Sequence, residues 1–549
     1  MSDSASSVAE AQPLKAEERE GPPAPQKKQG GCRAGSGLSR LSHWRTAAFF
    51  LSLFLCLAIV FAFSFIIPCP VRAVSLRTWN RTFADAGAYN FLAIMDVNRD
   101  KVMDVVFAYK DSTGSLNTTC SDKNLSSPCV VLAAASGTNG SPLWERPLEA
   151  ELRWAQCGVE GLGGLDTAGC LVSHSSFLTA VDQHRGQVLW TVPGPPGLDL
   201  QLPVLTAPDL DGDAVQDVVL IGVTQNMTKA IILSGKTGSG MGAEVVLEQE
   251  AVSGHLLHTT ERGAPYVLLQ TGSGVQGYAL RTIAAQAEEG SETRLKTDSQ
   301  WEAKAGPGGR VPVDRSSSVR YLTKAAQRSG VPHLLVVTAE HTRMIHGQSL
   351  ETQWTVNASG VLSEPSFGYF SRDSRDETPD VVIEADVGHG MKKVLILDGS
   401  SGAVLWEETM VHRAGSPRPA SVNTLSYNSV FVFWGAAARG NGTSASPKER
   451  FMYMLHPSQP DALLEKSSTP DPIAAFKAAL FEKGRHACLV LLTGPEGQGA
   501  AGEVTLAKRK LKDDVPESRV LWLRGGGGPS RDQEVRDFFN NLRFKRSTW

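Results

Sequence analysis

No charge of either sign dominates this chain. Its 549 residues carry 54 Lys and Arg against 57 Asp and Glu, a formal net charge of −3. There is no basic excess of the kind that neutralises a phosphate backbone, so no nucleic-acid partner is expected. No Gly-x-Ser-x-Gly elbow and no His-Glu-x-x-His helix motif occurs, which removes the common serine-hydrolase and zinc-protease signatures. None of the eight cysteines stands at Cys-x-x-Cys spacing, so a structural zinc site is not indicated either. His255 and His258 lie close in sequence but without nearby acidic or cysteine partners, and read as surface residues.

Glycine (53) and proline (30) are plentiful, and short runs rich in Val, Leu, Thr and Ser recur. That pattern favours many short strands and turns over long helices. One apolar run stands apart, "AAFFLSLFLCLAIVFAFSFII", residues 47–67, with no charged residue. As a helix it spans roughly 30 Å, the thickness of a bilayer's hydrocarbon. Its length and the long preceding region favour a retained signal-anchor over a signal peptide cleaved after Ala73. Arginines flank both ends (Arg33, Arg40 and Arg45; Arg72, Arg77 and Arg81), so charge does not orient it. Seven Asn-x-Ser/Thr acceptors, Asn80, Asn117, Asn124, Asn139, Asn226, Asn357 and Asn441, all follow the run. They place the large C-terminal part outside the cytoplasm: a type II glycoprotein of the plasma membrane. Cys120 with Cys129, and Cys157 with Cys170, are spaced for local disulfides, which such a compartment permits. Cys69 and Cys488 either pair with each other, or Cys69 bonds a partner, or both are free thiols.

Residues 1–46 hold almost no large apolar side chain before Leu38 and read as a disordered cytoplasmic tail. Residues 68–78 form a stalk. From 79 to 525 a strand-turn-strand grammar repeats: "FLTAVDQHRGQVLW" ending at Trp190 and "KVLILDGSSGAVLW" ending at Trp406 are the sharpest copies. Weaker ones end at Trp144 and Trp354 or lie around Gly235, Tyr278 and Leu464, and "SRVLW" ends at Trp522. A period of about 45–60 residues with this content marks an all-β protein, a β-propeller of seven or eight blades. The terminal tryptophans are expected to wedge between neighbouring blades. Residues 526–549 read as a glycine hinge and a short amphipathic helix capped by Ser530, with Val535, Phe538, Phe539 and Leu542 on its apolar face.

Two aspartate loops carry the candidate chemistry. "DVNRDKVMD" offers Asp96, Asn98, Asp100, the Val102 carbonyl and Asp104; "DLDGDAVQD" offers Asp209, Asp211, Asp213, the Val215 carbonyl and Asp217. Oxygen ligands at alternate positions of a tight loop suit a hard cation, Ca²⁺ above all. Metal-free Asx turns are the alternative. A third stretch, "SRDSRDETPDVVIEA", keeps the final aspartate, Asp380, but has Arg372 and Ser374 at ligand positions. No nucleophile or base stands in these loops, so the ions would be structural.

These loops, each followed by an apolar strand, resemble the FG-GAP repeats of integrin α-subunit propellers. The whole chain resembles the integrin-alpha FG-GAP-repeat-containing type II membrane proteins, in the A-like branch of the "family with sequence similarity 234". The resemblance implies a cell-surface propeller with no established enzymatic activity. The chain departs from the repeat pattern at loop position 6, where the usual Gly is Lys101 or Ala214. The expected function is non-enzymatic: a calcium-stabilised ectodomain that binds a protein partner, as a receptor or as an accessory subunit of another membrane protein. The alternative is a quinoprotein-like propeller enzyme of the secretory pathway. Its strand-turn-Trp grammar is similar, but the adjacent cysteine pair typical of those enzymes is missing here.

Overall fold

The computed structural model describes residues 38–66 and 78–545, except 113–119, 121–127, 149–150, 165–167, 175–176, 196, 289–293, 371–377, 437–448, 469, 483–484, 498–500 and 526. Cys32, Cys69, Arg372, Ser374, Asn117, Asn124 and Asn441 therefore lie outside the described residues. The chain divides into two compact units, with the boundary between Arg72 and Ala73.

The first unit is a helix, Leu38–Ile66, whose stretch Trp44–Phe61 is long and apolar enough to cross a membrane. It begins before the apolar run itself, since uncharged and charged residues alike hold helical hydrogen bonds there. Phe49, Phe50, Phe54 and Phe61 are bare on its surface.

In the second unit the described residues form eight blades. Six are regular four-stranded antiparallel sheets or extensions of one, and the first and last share a seven-stranded sheet. The sharing is due to one long strand, Trp79–Met95. Its first part, from Trp79 to Phe83, pairs with Gly502–Lys510 as the outermost strand of the eighth blade. Past a register shift, its second part pairs with Asp104–Asp111 as the innermost strand of the first. The ring is thus closed by hydrogen bonds rather than by a loop.

Middle strands are covered by a blade on each side, which is why they read as continuous apolar runs. Cys129–Ala135, Pro265–Thr271, His333–Thr338, Ser429–Gly435 and Ala487–Thr493 are buried at every residue.

Trp144, Trp190, Trp354 and Trp406 do wedge between blades, as does Trp79, whereas Trp522 instead donates its indole N–H to Asp532 of the C-terminal helix at 2.7 Å. Trp79, Trp190 and Trp354 donate their indole N–H to the carbonyls of Gly137, Gly235 and Gly399 in the next blade, at 3.1, 3.1 and 2.9 Å. Trp144 and Trp406 reach Gln183 and Pro460 in the same way, at 2.9 and 3.0 Å. The ring then lies on a turn glycine with positive φ: Gly140, Gly186, Gly238 and Gly402 under Trp79, Trp144, Trp190 and Trp354. Glycine is required twice over, for its conformation and for the absent Cβ.

Two of the expected repeats are built differently. "GYALRTIAAQAEEGSE" is not strand-turn-strand: strand Gly274–Ala279 runs into a helix, Leu280–Ala287. The apolar face of that helix, Leu280, Ile283, Ala284 and Ala287, fills the seam toward the third blade. The tryptophan for the next seam comes from a one-turn helix, Ser299–Glu302, where Trp301 donates to the Gln348 carbonyl at 3.1 Å. "SRVLW" is likewise no blade of its own. Arg519–Trp522 is a fifth strand on the seventh blade, paired with Ala462–Ser467. The eighth blade comes from Ile473–Leu480, Ala487–Thr493 and Gly502–Lys510 with the Trp79 strand.

The C-terminal helix, Pro529–Asn541, docks back on the propeller through buried Val535 and Phe539 and half-buried Phe538 and Leu542. Its N-cap is Gly528, not Ser530, because Pro529 takes the first helical position, where its missing N–H costs nothing.

A Gly238→Ala substitution places a methyl 2.6 Å from the Trp190 ring at a positive-φ position. It is expected to cost about 2–4 kcal/mol, read as a fall in the urea midpoint. A midpoint unchanged from the parent would contradict the docking role.

Candidate metal centre

Each aspartate loop lies between the innermost strand of a blade and its second strand. The final aspartate of each is buried at the start of that second strand: Asp104 and Asp217 are fully covered and Asp380 nearly so. Each acts as a bracket. Asp104 accepts the Val97 and Asn98 N–H groups at 2.9 and 3.2 Å, and the Gly137 N–H at 2.8 Å. Asp217 accepts Leu210 at 2.7 Å and Gly235 at 3.1 Å. Asp380 accepts Phe370 at 2.7 Å and Gly399 at 3.1 Å. The glycines are the ones whose carbonyls receive the tryptophans, so loop, turn and neighbouring blade meet at one peptide. Burial pushes the Asp104 carboxyl up to about 6, against the pull of its three backbone donors, and raises Asp217 for the same reason.

The remaining loop residues fold the turn. In the second loop Asp209 accepts from Gly212 and Ala214, Asp211 from Asp213, and Asp213 from Val215. In the first, Asp96 accepts from Lys101, Asn98 from Asp100, and Asp100 from Val102. Lys101 and Ala214 stand at φ 69° and 66°, so both hold the left-handed conformation that glycine would take at this position. The departure from the repeat pattern leaves the turn geometry intact.

The second loop brings an oxygen of Asp209, Asp211 and Asp217 within 4.8 Å of one another. Asp213 stands outside that group, turned to its own Val215 N–H. The guanidinium of Arg294 lies 3.7 Å from Asp209 and covers Gly212. Sequence spacing had no means of finding Arg294, which arrives from the fourth blade's insertion. The first loop gathers no such carboxylate trio among the described residues, but one buried oxygen of Asp96 has no hydrogen-bond partner. Arg99 does not fill the loop: its side chain reaches out to His184 of the second blade at 3.3 Å. Both loops thus offer acidic oxygens in a folded turn, a donor set suited to a hard cation.

Both local disulfides are present, Cys120–Cys129 and Cys157–Cys170. Cys488 is a buried free thiol, pushed up to about 11 by burial. Asn80, Asn139, Asn226 and Asn357 are all exposed.

The histidine reading needs correction. His258 is fully buried, stacked on Trp301 and bonded to the Gly347 carbonyl at 2.8 Å, and His255 is half-buried. Neither is a surface residue, because their strand Gly254–Thr259 is the innermost of the fourth blade and is packed on both sides. Burial lowers His258, His333 and His456 to about 4 each.

The architecture defines an eight-bladed, tryptophan-docked β-propeller, preceded in the chain by one helix apolar enough to span a bilayer. The family model described as "FAM234A/B beta-propeller" matches residues 79–545. The chain is 38% identical to Protein FAM234A of Bos taurus, over 99% of this chain and 100% of that one. It is 30% identical to Protein FAM234B of Homo sapiens, over 95% and 86%. The chain belongs to the FAM234 family. Among solved structures it is similar to BBS1N, crystallised in complex with ARL6DN, with 11% identity and a TM-score of 0.41 over 80% of this chain and 98% of that one.

The depressed histidines make the propeller acid-sensitive. An unfolded chain takes up protons below about pH 6.5, while the folded state refuses them until about pH 4. Their contribution is complete above pH 6.5 and is lost progressively as pH falls through that window. His456→Asn should therefore flatten the fall in melting temperature between pH 7 and 4.5 relative to the parent. Parallel curves would rule out a buried neutral His456.

Proposed function

We propose that the chain is a non-enzymatic, single-pass type II glycoprotein of the cell surface whose calcium-stabilised propeller binds a protein partner. What carries this reading is the company the propeller keeps. Four exposed glycosylation acceptors and two disulfides all lie on the C-terminal side of the apolar helix. Disulfides and N-glycans belong to the lumen and the exterior. The absence of an adjacent cysteine pair speaks against the quinoprotein alternative. Calcium would be held by Asp209, Asp211 and Asp217, and in the first loop by Asp96, Asp100 and Asp104 with Asn98. It would supply a fixed positive charge among carboxylates that otherwise repel.

Tags at the two ends test the topology. A C-terminal tag should be labelled on intact cells and an N-terminal tag only after permeabilisation, with a mobility shift on removal of N-glycans. The opposite labelling, or no shift, overturns the assignment. Calcium is tested separately by melting curves with millimolar calcium or chelator. At about 1 mM calcium and a dissociation constant of about 0.1 mM, one site adds about 1.4 kcal/mol. Asp211→Ala, and Asp100→Ala for the first loop, should abolish its own share of the rise. Asp380→Ala should lower stability equally in both conditions, since it removes only a bracket. A parent protein indifferent to calcium would return the loops to solvated turns.

A further inference from the structure

The inner strands of six blades border a channel along the propeller axis. It holds two adjoining cavities, of about 1010 and about 780 Å³, that share Glu364, Arg418, Phe476 and Lys477 in their walls. To these shared residues the larger adds Glu496 and Arg153, which pairs with Asp199 at 2.7 Å. The smaller is one-sided. Four cations, Lys324, Arg418, Lys477 and Lys545, line it against a single carboxylate, Glu364. Glu364 is already committed to Arg418, and Lys545 sits over the Tyr427 ring at 3.8 Å. Lys324 and Lys477 make no hydrogen bond or ion pair among the described residues. Both side chains are exposed and border the cavity.

We propose that this cavity is a binding site for a small organic anion, with Lys324 and Lys477 meeting its carboxylate or phosphate group. A net local excess of positive charge (four cations less one carboxylate) stands in a chain whose overall charge is −3. Low-dielectric walls focus such a field into the lumen. Like charges gathered in one cavity repel, and a bound anion offsets that repulsion. Although both side chains are exposed, partial desolvation by the surrounding walls lowers both lysines, and Arg418 adds repulsion at Lys477. The cavity exceeds what an inorganic ion needs and falls within the ~300–1,000 Å³ of small-molecule sites. Phe367, Val422 and Phe476 in its wall offer apolar surface to a carbon body.

The test is calorimetric titration of the detergent-solubilised full chain, at constant ionic strength, with citrate, adenosine 5′-monophosphate and neutral adenosine. At least one anion should give a saturable heat and adenosine none, the two anions separating carboxylate from phosphate preference. In the double variant Lys324→Met/Lys477→Met, binding should weaken at least about tenfold. Its melting temperature without anion should hold or rise, since two unpaired charges have gone. The Lys324→Arg/Lys477→Arg variant keeps both charges and should keep binding, as should Lys393→Met outside the channel. No saturable heat from either anion, or equal binding by the methionine variant, overturns the proposal. Neither calcium nor a protein partner enters the measurement.

Discussion

The peptide of Gly137 holds the ring shut. Its N–H donates to Asp104 at 2.8 Å, and its carbonyl receives the Trp79 indole at 3.1 Å and the Lys508 ammonium at 2.6 Å. Three distant parts of the chain meet there: the first aspartate loop, the strand that opens the propeller, and the blade that completes it. No side chain is tolerated, since a Cβ would lie 1.7 Å from the Met103 carbonyl. Lys508 is almost wholly buried, yet its charge is met by that carbonyl and by the Phe481 ring at 4.8 Å. A buried cation with partners of this kind is sustainable; without them it is not.

The same joint recurs at Gly235 and Gly399, each bracketed by an aspartate and docked by a tryptophan. The last aspartate of a loop belongs to the scaffold, as Asp380 illustrates in a loop with Arg372 and Ser374 at its first two ligand positions. The earlier aspartates shape the turn, Asp211 and Asp213 each accepting a backbone N–H with one oxygen and Asp209 with both.

How much of this was legible in the sequence depended on whether the signal was local. Blades two and six were plain because strand, turn glycine and tryptophan fall within fourteen residues, as at Phe177 to Trp190. The fourth blade was obscured because its tryptophan, Trp301, comes from a helix inserted between its third and fourth strands. The eighth was misplaced, at the strand ending in Trp522, because its own outermost strand stands at the other end of the propeller sequence. The aspartate loops were found by spacing, whereas Arg294, which lies over the second of them, is brought there by the fold alone. His258 looked exposed because nothing within a few residues of it reveals that another blade stacks against its strand. The channel lysines carried no signal at all, since Lys324 and Lys477 come from different blades.

The shared strand Trp79–Met95 also orders events during synthesis. Its first segment leaves the ribosome ahead of every blade, but its pairing partner, Gly502–Lys510, is among the last strands made. Until then the first segment of the propeller is a strand with unpaired backbone groups and two aromatic side chains, Trp79 and Phe83, the kind of edge that invites association with other chains. Maturation of this propeller is therefore a delayed closure. Its quality depends on how well the earliest segment is kept from wrong partners while the rest is being translated.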